Sequence, residues 1–522
     1  MQIRYSQFAR LAAPALGFAS IVFVTVAQPA TPAKEKPAQS KSSDWNTKAH
    51  EPSITHHSVT ISGKRLEYTA EAGYQPMTTE TGEVTSNIFY VSYTLDSVAD
   101  TSTRPITYVF NGGPGSASLW LHLGTAGPRR VVMADDGAAL SPPGRLVNNE
   151  YSWLDLTDLV FIDPVGTGYS RPTKDHKQSE FSGFNEDLHS VGDFIRLFTT
   201  TRKRWSSPKF LAGESYGTTR AAGLAGYLQR RHRLDLNGIV LISSILNFQT
   251  ARFTPGNDLP YILFLPTYTA TAWFHHRLAP DLERDLQVTL EQARTFARTE
   301  YAQALMQGDA LSDANRAEIA RKLARFTGLD QKYIEQTNLR VPIQRFTKAL
   351  LRDQRRTVGR LDSRFKGMDA DAAGETADFD PSMAAISEPY TTAINAYLRD
   401  ELGYENDIPY AVLGGRIGRW SYANVENEYL NVAETLRGVI AQNPFLKVHV
   451  AAGYYDLATP FFAAEYTFNH LGLEPELRSN ITMSHYEAGH MVYINKPSLI
   501  KLKEALRAFY ADATKDVAPQ QP

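Results

Sequence analysis

Lys209-Phe210-Leu211-Ala212-Gly213-Glu214-Ser215-Tyr216-Gly217 is the stretch on which the fold of this chain turns. Its first four residues make a short run suited to a strand buried on both faces. Residues 218–229 continue at helical spacing, with Ala222, Leu224 and Leu228 recurring on one side. A strand that passes into a helix through Gly-x-Ser-x-Gly is the local setting of a nucleophile elbow. The turn is too sharp for side chains two residues either side of the serine, which accounts for Gly213 and Gly217. It lifts the Ser215 hydroxyl above the sheet edge, where the first N–H groups of the helix face it. Gly-x-Ser-x-Gly alone is a weak pattern; directly after an apolar strand it is a specific one.

Outward from this turn the rhythm repeats. Residues 106–110, 159–162, 238–242 and 448–452 are further short apolar runs, and Phe194, Leu197 and Phe198 mark a helix between two of them. Alternating strand and helix predicts a mostly parallel sheet covered on both faces. Upstream, Ser58-Val59-Thr60-Ile61-Ser62, a Gly63-Lys64 turn and residues 87–93 predict antiparallel hairpins that open the domain. Residues 251–430 break the pattern. Leu282, Leu286, Leu290, Ala293 and Ala297 form one helical stripe, and Ile319, Leu323 and Phe326 another that stops at Gly328. No buried-strand run appears there before residues 408–413, so the segment reads as a mostly helical insertion. It divides a catalytic domain into residues 51–250 and 431–515. Residues 368–381 are acidic and rich in Gly and Ala, and read as a solvated loop; Asp369 and Asp371 lack the further ligands of a calcium loop.

The 522 residues carry a formal charge of -2 and are 43% hydrophobic, which argues against a nucleic-acid or anionic-membrane surface. Arg4 and Arg10 ahead of an apolar stretch at residues 11–26, with Thr25-Val26-Ala27 as a cleavage site, read as an export signal over residues 1–27. The alternative is a membrane anchor, but the stretch holds Pro14 and Gly17 and is shorter than the roughly 20 residues of a span. Residues 28–50, rich in Pro, Ala, Lys and Ser, read as a flexible tether. There is no cysteine, which removes disulfides, thiolate metal sites and cysteine catalysis. An exported chain of this size without disulfides points to a secreted or periplasmic location in a bacterial envelope.

A serine hydroxyl needs a base, and the base needs an orienting carboxylate. In the α/β-hydrolase fold the chain order is Ser, then acid, then His. Asp456 directly follows the strand at 448–452, at the carboxyl edge of the sheet. His490, in Glu487-Ala488-Gly489-His490-Met491-Val492, and His485 are both placed to be the base, while His449 lies within a strand. An oxyanion needs two N–H donors. One belongs to Tyr216, and the other to the turn Asn111-Gly112-Gly113-Pro114-Gly115 after an early strand. That turn lacks the Gly-Lys-Ser/Thr ending of a P-loop.

Four blocks taken together carry a resemblance. Asn111-Gly112-Gly113-Pro114-Gly115-Ser116, Asp163-Pro164-Val165-Gly166-Thr167-Gly168-Tyr169-Ser170, Gly213-Glu214-Ser215-Tyr216-Gly217 and Gly489-His490-Met491-Val492 resemble, in order, the signature blocks of the serine carboxypeptidase family. The resemblance spans residues 53–511 and implies an α/β-hydrolase fold with a cap where the insertion stands. It implies Ser215, Asp456 and His490 as the triad, which decides between the two histidines, and Gly113 and Tyr216 as oxyanion donors. It further implies that Asn111, Gly112 and Glu214 hold the free C-terminal carboxylate of a peptide. Two close carboxyl groups can bond only by sharing a proton, so such a site favours acid conditions. Asp163 reads as structural, holding the turn at 166–168. Two positions depart from the family: Ser116 replaces a cysteine, and Thr125 stands where many members carry a second glutamate, which leaves open how far the pKa of Glu214 is raised.

The function expected is therefore a serine carboxypeptidase acting through an acyl-enzyme on peptides with a free C-terminus. A serine esterase or acyltransferase on the same scaffold, or a non-catalytic binding protein, are the alternatives. No motif calls for a metal or an organic cofactor. His56-His57 and His275-His276 are adjacent pairs that point to different faces.

Overall fold

Apolar runs too continuous to leave a wet face build the centre of the molecule. The computed structural model describes residues 51–134, 140–414 and 416–517; the segments expected to be an export signal and a tether lie outside the described residues. Nine strands follow one path: β1 (Ser53–Ile61), β2 (Lys64–Thr78), β3 (Val84–Leu95), β4 (Ile106–Phe110), β5 (Asp158–Ile162), β6 (Lys209–Glu214), β7 (Gly238–Ile242), β8 (Lys447–Gly453) and β9 (Ile481–Tyr486). Their spatial order is β1-β2-β3-β5-β4-β6-β7-β8-β9, with the short Arg171–Pro172 strand beside β3. The first three joins are antiparallel and the other five parallel.

Every residue of β4, β5, β6 and β7 is buried. Because side chains alternate across a strand, each run feeds two cores. Val109, Phe161, Phe210 and Val240 face one side with Leu502 and Phe509. Tyr108, Val160, Leu211 and Ile239 face the other with Val191, Phe194 and Leu224. Two helices matter for the site and its support: α1 (Phe184–Thr201) and α2 (Tyr216–Tyr227).

Between β7 and β8 the described residues add no strand to the large sheet. Helices α3 (Leu259–Phe274), α4 (Leu286–Phe296) and α5 (Asp313–Thr327) occupy much of that length, and α6 (Pro381–Ala396) follows. Gly328 ends α5 in the left-handed region at φ 69°, where a side chain is disfavoured. The stripe residues Leu286, Leu290, Ala293, Ile319, Leu323 and Phe326 are buried in a third core, which Tyr454, Tyr455, Leu457 and Phe461 share. Among the described residues no helix is long and apolar enough to cross a membrane.

One local expectation is overturned. Residues 408–413 form no strand of the sheet; they run as a strap with isolated bridges from Ala411 to Gly168 and from Leu413 to Ser116. Ile408, Tyr410 and Val412 are only partly buried against the core and Leu413 is exposed, so the run is not a strand buried on both faces. Residues 368–381 are largely exposed, as the solvated-loop reading expects, and are anchored to the fold at a few points. Asp369 is buried against Lys348, which also donates to the Asp371 carbonyl, and Arg352 donates to the Gly374 carbonyl. A buried lysine requires such partners, and the acidic run supplies them.

Candidate active site

The chain leaves β6 at Glu214 and enters α2 at Tyr216, with Ser215 between them at φ 62°, ψ −130°. A non-glycine residue in that conformation stores about 1–3 kcal/mol. Its neighbours over-determine it: the Ser215 N–H donates to the Ile242 carbonyl at 3.1 Å, and the Thr218 hydroxyl to the Ser215 carbonyl at 2.7 Å. A methyl group on Gly213 would stand 2.2 Å from the Gly217 carbonyl oxygen, and one on Gly217 2.9 Å from that of Phe110. Both glycines of the elbow are thus sterically required.

Asp456 and His490 meet above the end of β8. The Asp456 side chain is fully buried; its Oδ2 lies 2.7 Å from His490 Nδ1 and accepts from the Thr459 hydroxyl at 2.7 Å. Its Oδ1 accepts from the backbone N–H groups of Ala458 and Thr459 at 2.8 and 3.0 Å. Burial pushes the His490 pKa down, but the charge and hydrogen bond of Asp456, with the charge of Glu214, outweigh it. The imidazole is held above its usual 6.5, with Arg360 pulling the other way. His490 is also fixed through its backbone: its N–H donates to the Leu361 carbonyl at 2.7 Å, and its carbonyl accepts from the Ser243 hydroxyl at 2.6 Å.

The turn after β4 reaches this place because Phe110 pairs with Gly213 in register. A methyl group on Gly112 would stand 2.5 Å from the Tyr216 nitrogen, so the turn packs directly on the start of α2. The Tyr216 N–H, first in its helix, has no helical acceptor to serve. Asn111 is buried and oriented at both ends: Oδ1 accepts from the Leu121 N–H and Nδ2 donates to Glu214 Oε1, each at 3.0 Å. Its carbonyl accepts from Arg220, whose guanidinium pairs with Asp187 in a fully buried bridge of 2.7 Å.

Glu214 is buried and under-satisfied. Beyond Asn111 its Oε2 completes no hydrogen bond of full geometry, and neither does the Tyr493 hydroxyl beside it. Burial raises its pKa from 4.5 to about 7; the charge of His490 and the Tyr493 and Asn111 side chains pull down, and the charge of Asp456 pushes up. Burial is the largest cause of that rise, and Thr125, at the position of the family's second glutamate, is fully buried with an unpartnered hydroxyl. Ser116, in place of the cysteine, accepts from the Trp120 indole N–H at 2.8 Å. Asn111, Gly112, Gly113, Glu214, Ser215 and His490 line one cavity of about 330 Å³, walled otherwise by Trp120, Leu361, Met383, Ile386, Leu413 and Met491, with Arg360.

All the residues singled out around the elbow are therefore brought together except Asp456, which sits behind His490, and Tyr216, whose nitrogen abuts Gly112. His485 is placed elsewhere: it lies on β9, 2.9 Å from Glu465 and stacked on Tyr454. His449 packs within β8, its Nδ1 2.9 Å from the Thr482 hydroxyl, with its pKa pushed down to about 4 by burial. Asp163 is buried, accepts from the Ser118 N–H, and takes the Ser170 hydroxyl on its carbonyl, bracing the turn at 166–168. What the sequence reading missed is the loop at residues 359–365. Asp362 forms a buried pair with Arg364 and accepts from the Gly489 N–H, while the Arg360 carbonyl accepts from the Leu457 N–H. It thus grips the loops of both His490 and Asp456, and no local motif announces it.

Strand order, parallel core and elbow define the α/β-hydrolase fold. The solved structure of a prohormone-processing carboxypeptidase from Saccharomyces cerevisiae shares it, with a TM-score of 0.52 and 17% identity over 85% of this chain and 91% of that one. In sequence the chain belongs to the serine carboxypeptidase family, whose profile matches residues 61–496. Relatives include a pheromone-processing carboxypeptidase of Yarrowia lipolytica, 32% identical over 30% of this chain and 24% of that protein. Another is serine carboxypeptidase-like 45 of Arabidopsis thaliana, 26% identical over 38% of this chain and 44% of that one. The chain thus spans about a quarter to under a half of the length of these curated relatives.

Proposed function

We propose that this protein is a serine carboxypeptidase that removes the C-terminal residue of peptides through an acyl-enzyme on Ser215. Asp456 accepts the Nδ1 proton of His490 and so leaves Nε2 free as the base toward the Ser215 hydroxyl. Attack on the last peptide carbonyl forms a tetrahedral oxyanion, which the N–H groups of Gly113 and Tyr216 receive. His490 then protonates the departing amine, and water repeats the sequence to free the acyl group and regenerate Ser215.

The observation that carries the choice of substrate is Glu214: a buried carboxyl with a pKa of about 7 and an unpartnered oxygen, in the same cavity as Ser215. A group that keeps its proton below about pH 7 can share it with the terminal carboxylate of a peptide, which Asn111 and the Gly112 N–H complete as donors. Residues 251–430 act as the cap over this cavity. The charged and apolar pattern of residues 1–27 supports export of the chain. The test compares one peptide with a free and an amidated C-terminus at about pH 5 and pH 8. Release of the last residue from the free acid, favoured at the lower pH and absent in Ser215→Ala, is expected. Equal turnover of acid and amide at both pH values would turn the reading to a general serine hydrolase.

A further inference from the structure

Arg360 occupies a place in the cavity that the proposed chemistry does not use. It lines the same 330 Å³ space as Glu214, Ser215 and His490, is solvent-exposed, and among the described residues its guanidinium takes part in no ion pair or side-chain hydrogen bond. Other arginines of this region are engaged: Arg340 with Asp258, Arg345 with Glu375, Arg352 with the Gly374 carbonyl and Arg364 with Asp362. Asp380, which accepts the Arg360 backbone N–H, is further occupied by the N–H and hydroxyl of Ser382, and Asp362 in the same loop is paired with Arg364.

The backbone that carries this free cation is rigid. The Arg360 N–H donates to Asp380 at 3.0 Å, its carbonyl accepts from Leu457 at 3.0 Å, and the next residue, Leu361, holds the His490 N–H at 2.7 Å and donates to Ser382 at 3.0 Å. The loop of Arg360 is thus bonded to His490, and the Arg360 charge acts on that imidazole. In peptide cleavage the departing residue lies with its carboxylate at Glu214 and its amine at His490. The remaining walls are Trp120, Leu361, Met383, Ile386 and Met491, which pack the methylenes of a side chain but offer no charge.

We infer that Arg360 sets the charge preference for the departing residue, favouring an acidic side chain over its neutral isostere and rejecting a basic one. The inference rests on the carboxypeptidase reading above. An exposed guanidinium lining such a cavity makes a charge-assisted, often bidentate bond to a carboxylate, and repels an ammonium or guanidinium held in the same space.

The experiment uses the whole chain and three N-acylated peptides that differ only in ending in Glu, Gln or Lys, with release of the free amino acid giving kcat/KM. The Glu peptide should exceed the Gln peptide by about three- to tenfold, and the Gln peptide should exceed the Lys peptide by a similar factor. Arg360→Gln should bring the Glu-to-Gln ratio close to one, Arg360→Lys should retain the order Glu over Gln, and Arg360→Glu should put Lys above Glu. A Glu-to-Gln ratio of one in the parent chain overturns the inference. So does a ratio that Arg360→Gln leaves in place, or an equal loss on all three peptides, which would assign Arg360 to their shared terminal carboxylate. Release from none of the peptides overturns the carboxypeptidase reading and this inference with it, whereas release without discrimination overturns this inference alone.

Discussion

Two buried carboxyl groups stand at opposite ends of the site, and they are provisioned in opposite ways. Asp456 receives four donors: the N–H groups of Ala458 and Thr459, the Thr459 hydroxyl and His490 Nδ1. Glu214 receives one, from Asn111, and its second oxygen is left unpartnered. Both are buried, and burial carries the pKa of Glu214, with its few donors, up to about 7. The donor count, set by the loops around each group, divides the labour: one acid stays an acceptor for histidine, and the other stays able to carry a proton.

The sharpest way to break this comparison is Asp456→Asn. The backbone donors at Ala458 and Thr459 hold the amide oxygen in the place of Oδ1, so the amide NH₂ faces His490 Nδ1 and forces the wrong tautomer. We expect kcat to fall about ten-thousandfold with the fold intact. Ser215→Ala or His490→Ala should cost at least as much, and combining them little more, because the three act as a unit. A mild loss on Asp456→Asn would mean that its four donors serve structure rather than catalysis.

Glu214→Gln tests the other end. For free-acid peptides KM should climb in the parent as pH rises through about 7, by up to about tenfold per unit, and the variant should flatten that climb. Amidated peptides should show neither effect. Stability carries the same signature. Between the unfolded value of 4.5 and the folded value of about 7, the folded protein holds a proton that the unfolded chain has released. That contribution is complete below 4.5 and is lost as pH rises through 7. Urea denaturation at about pH 4 and pH 8 should therefore show the parent losing on the order of 3 kcal/mol more than Glu214→Gln.

The smallest effect is expected for Thr459→Val, which removes one of the four donors to Asp456 and keeps the shape. A loss in kcat of about tenfold is expected, with no change in the pH dependence of KM. A loss equal to that of Asp456→Asn would show that the hydroxyl, not the pair of backbone N–H groups, orients the carboxylate.

Much of this was legible before any coordinates. The elbow could be read because its setting is local: the strand-to-helix switch and the clash of a side chain at Gly213 with Gly217 lie within five residues, while the clash at Gly217 comes from Phe110 and Asn111 on the neighbouring strand and turn. Buried parallel strands could be read because both faces are covered, which leaves an apolar run in the sequence itself. Residues 408–413 look similar by composition and are only a partly exposed strap, because apolar content by itself records neither full burial nor a ladder partner.

By itself, then, the chain's sequence determined the buried strand runs, the nucleophile turn and the order of the reactive residues, features written in local pattern even where, as at Gly217, part of the packing that demands them is distant. Spacing left His485 and His490 as rivals; the fold separated them by pairing one with Glu465 and the other with Asp456. Only tertiary structure brought the loop at 359–365 against the His490 and Asp456 loops, roughly a hundred residues away in sequence, and placed Arg360 in the cavity. It alone decided the proton of Glu214 as well, since a pKa is set by burial and by the donors within reach, and those come from Asn111 and Tyr493 at opposite ends of the chain.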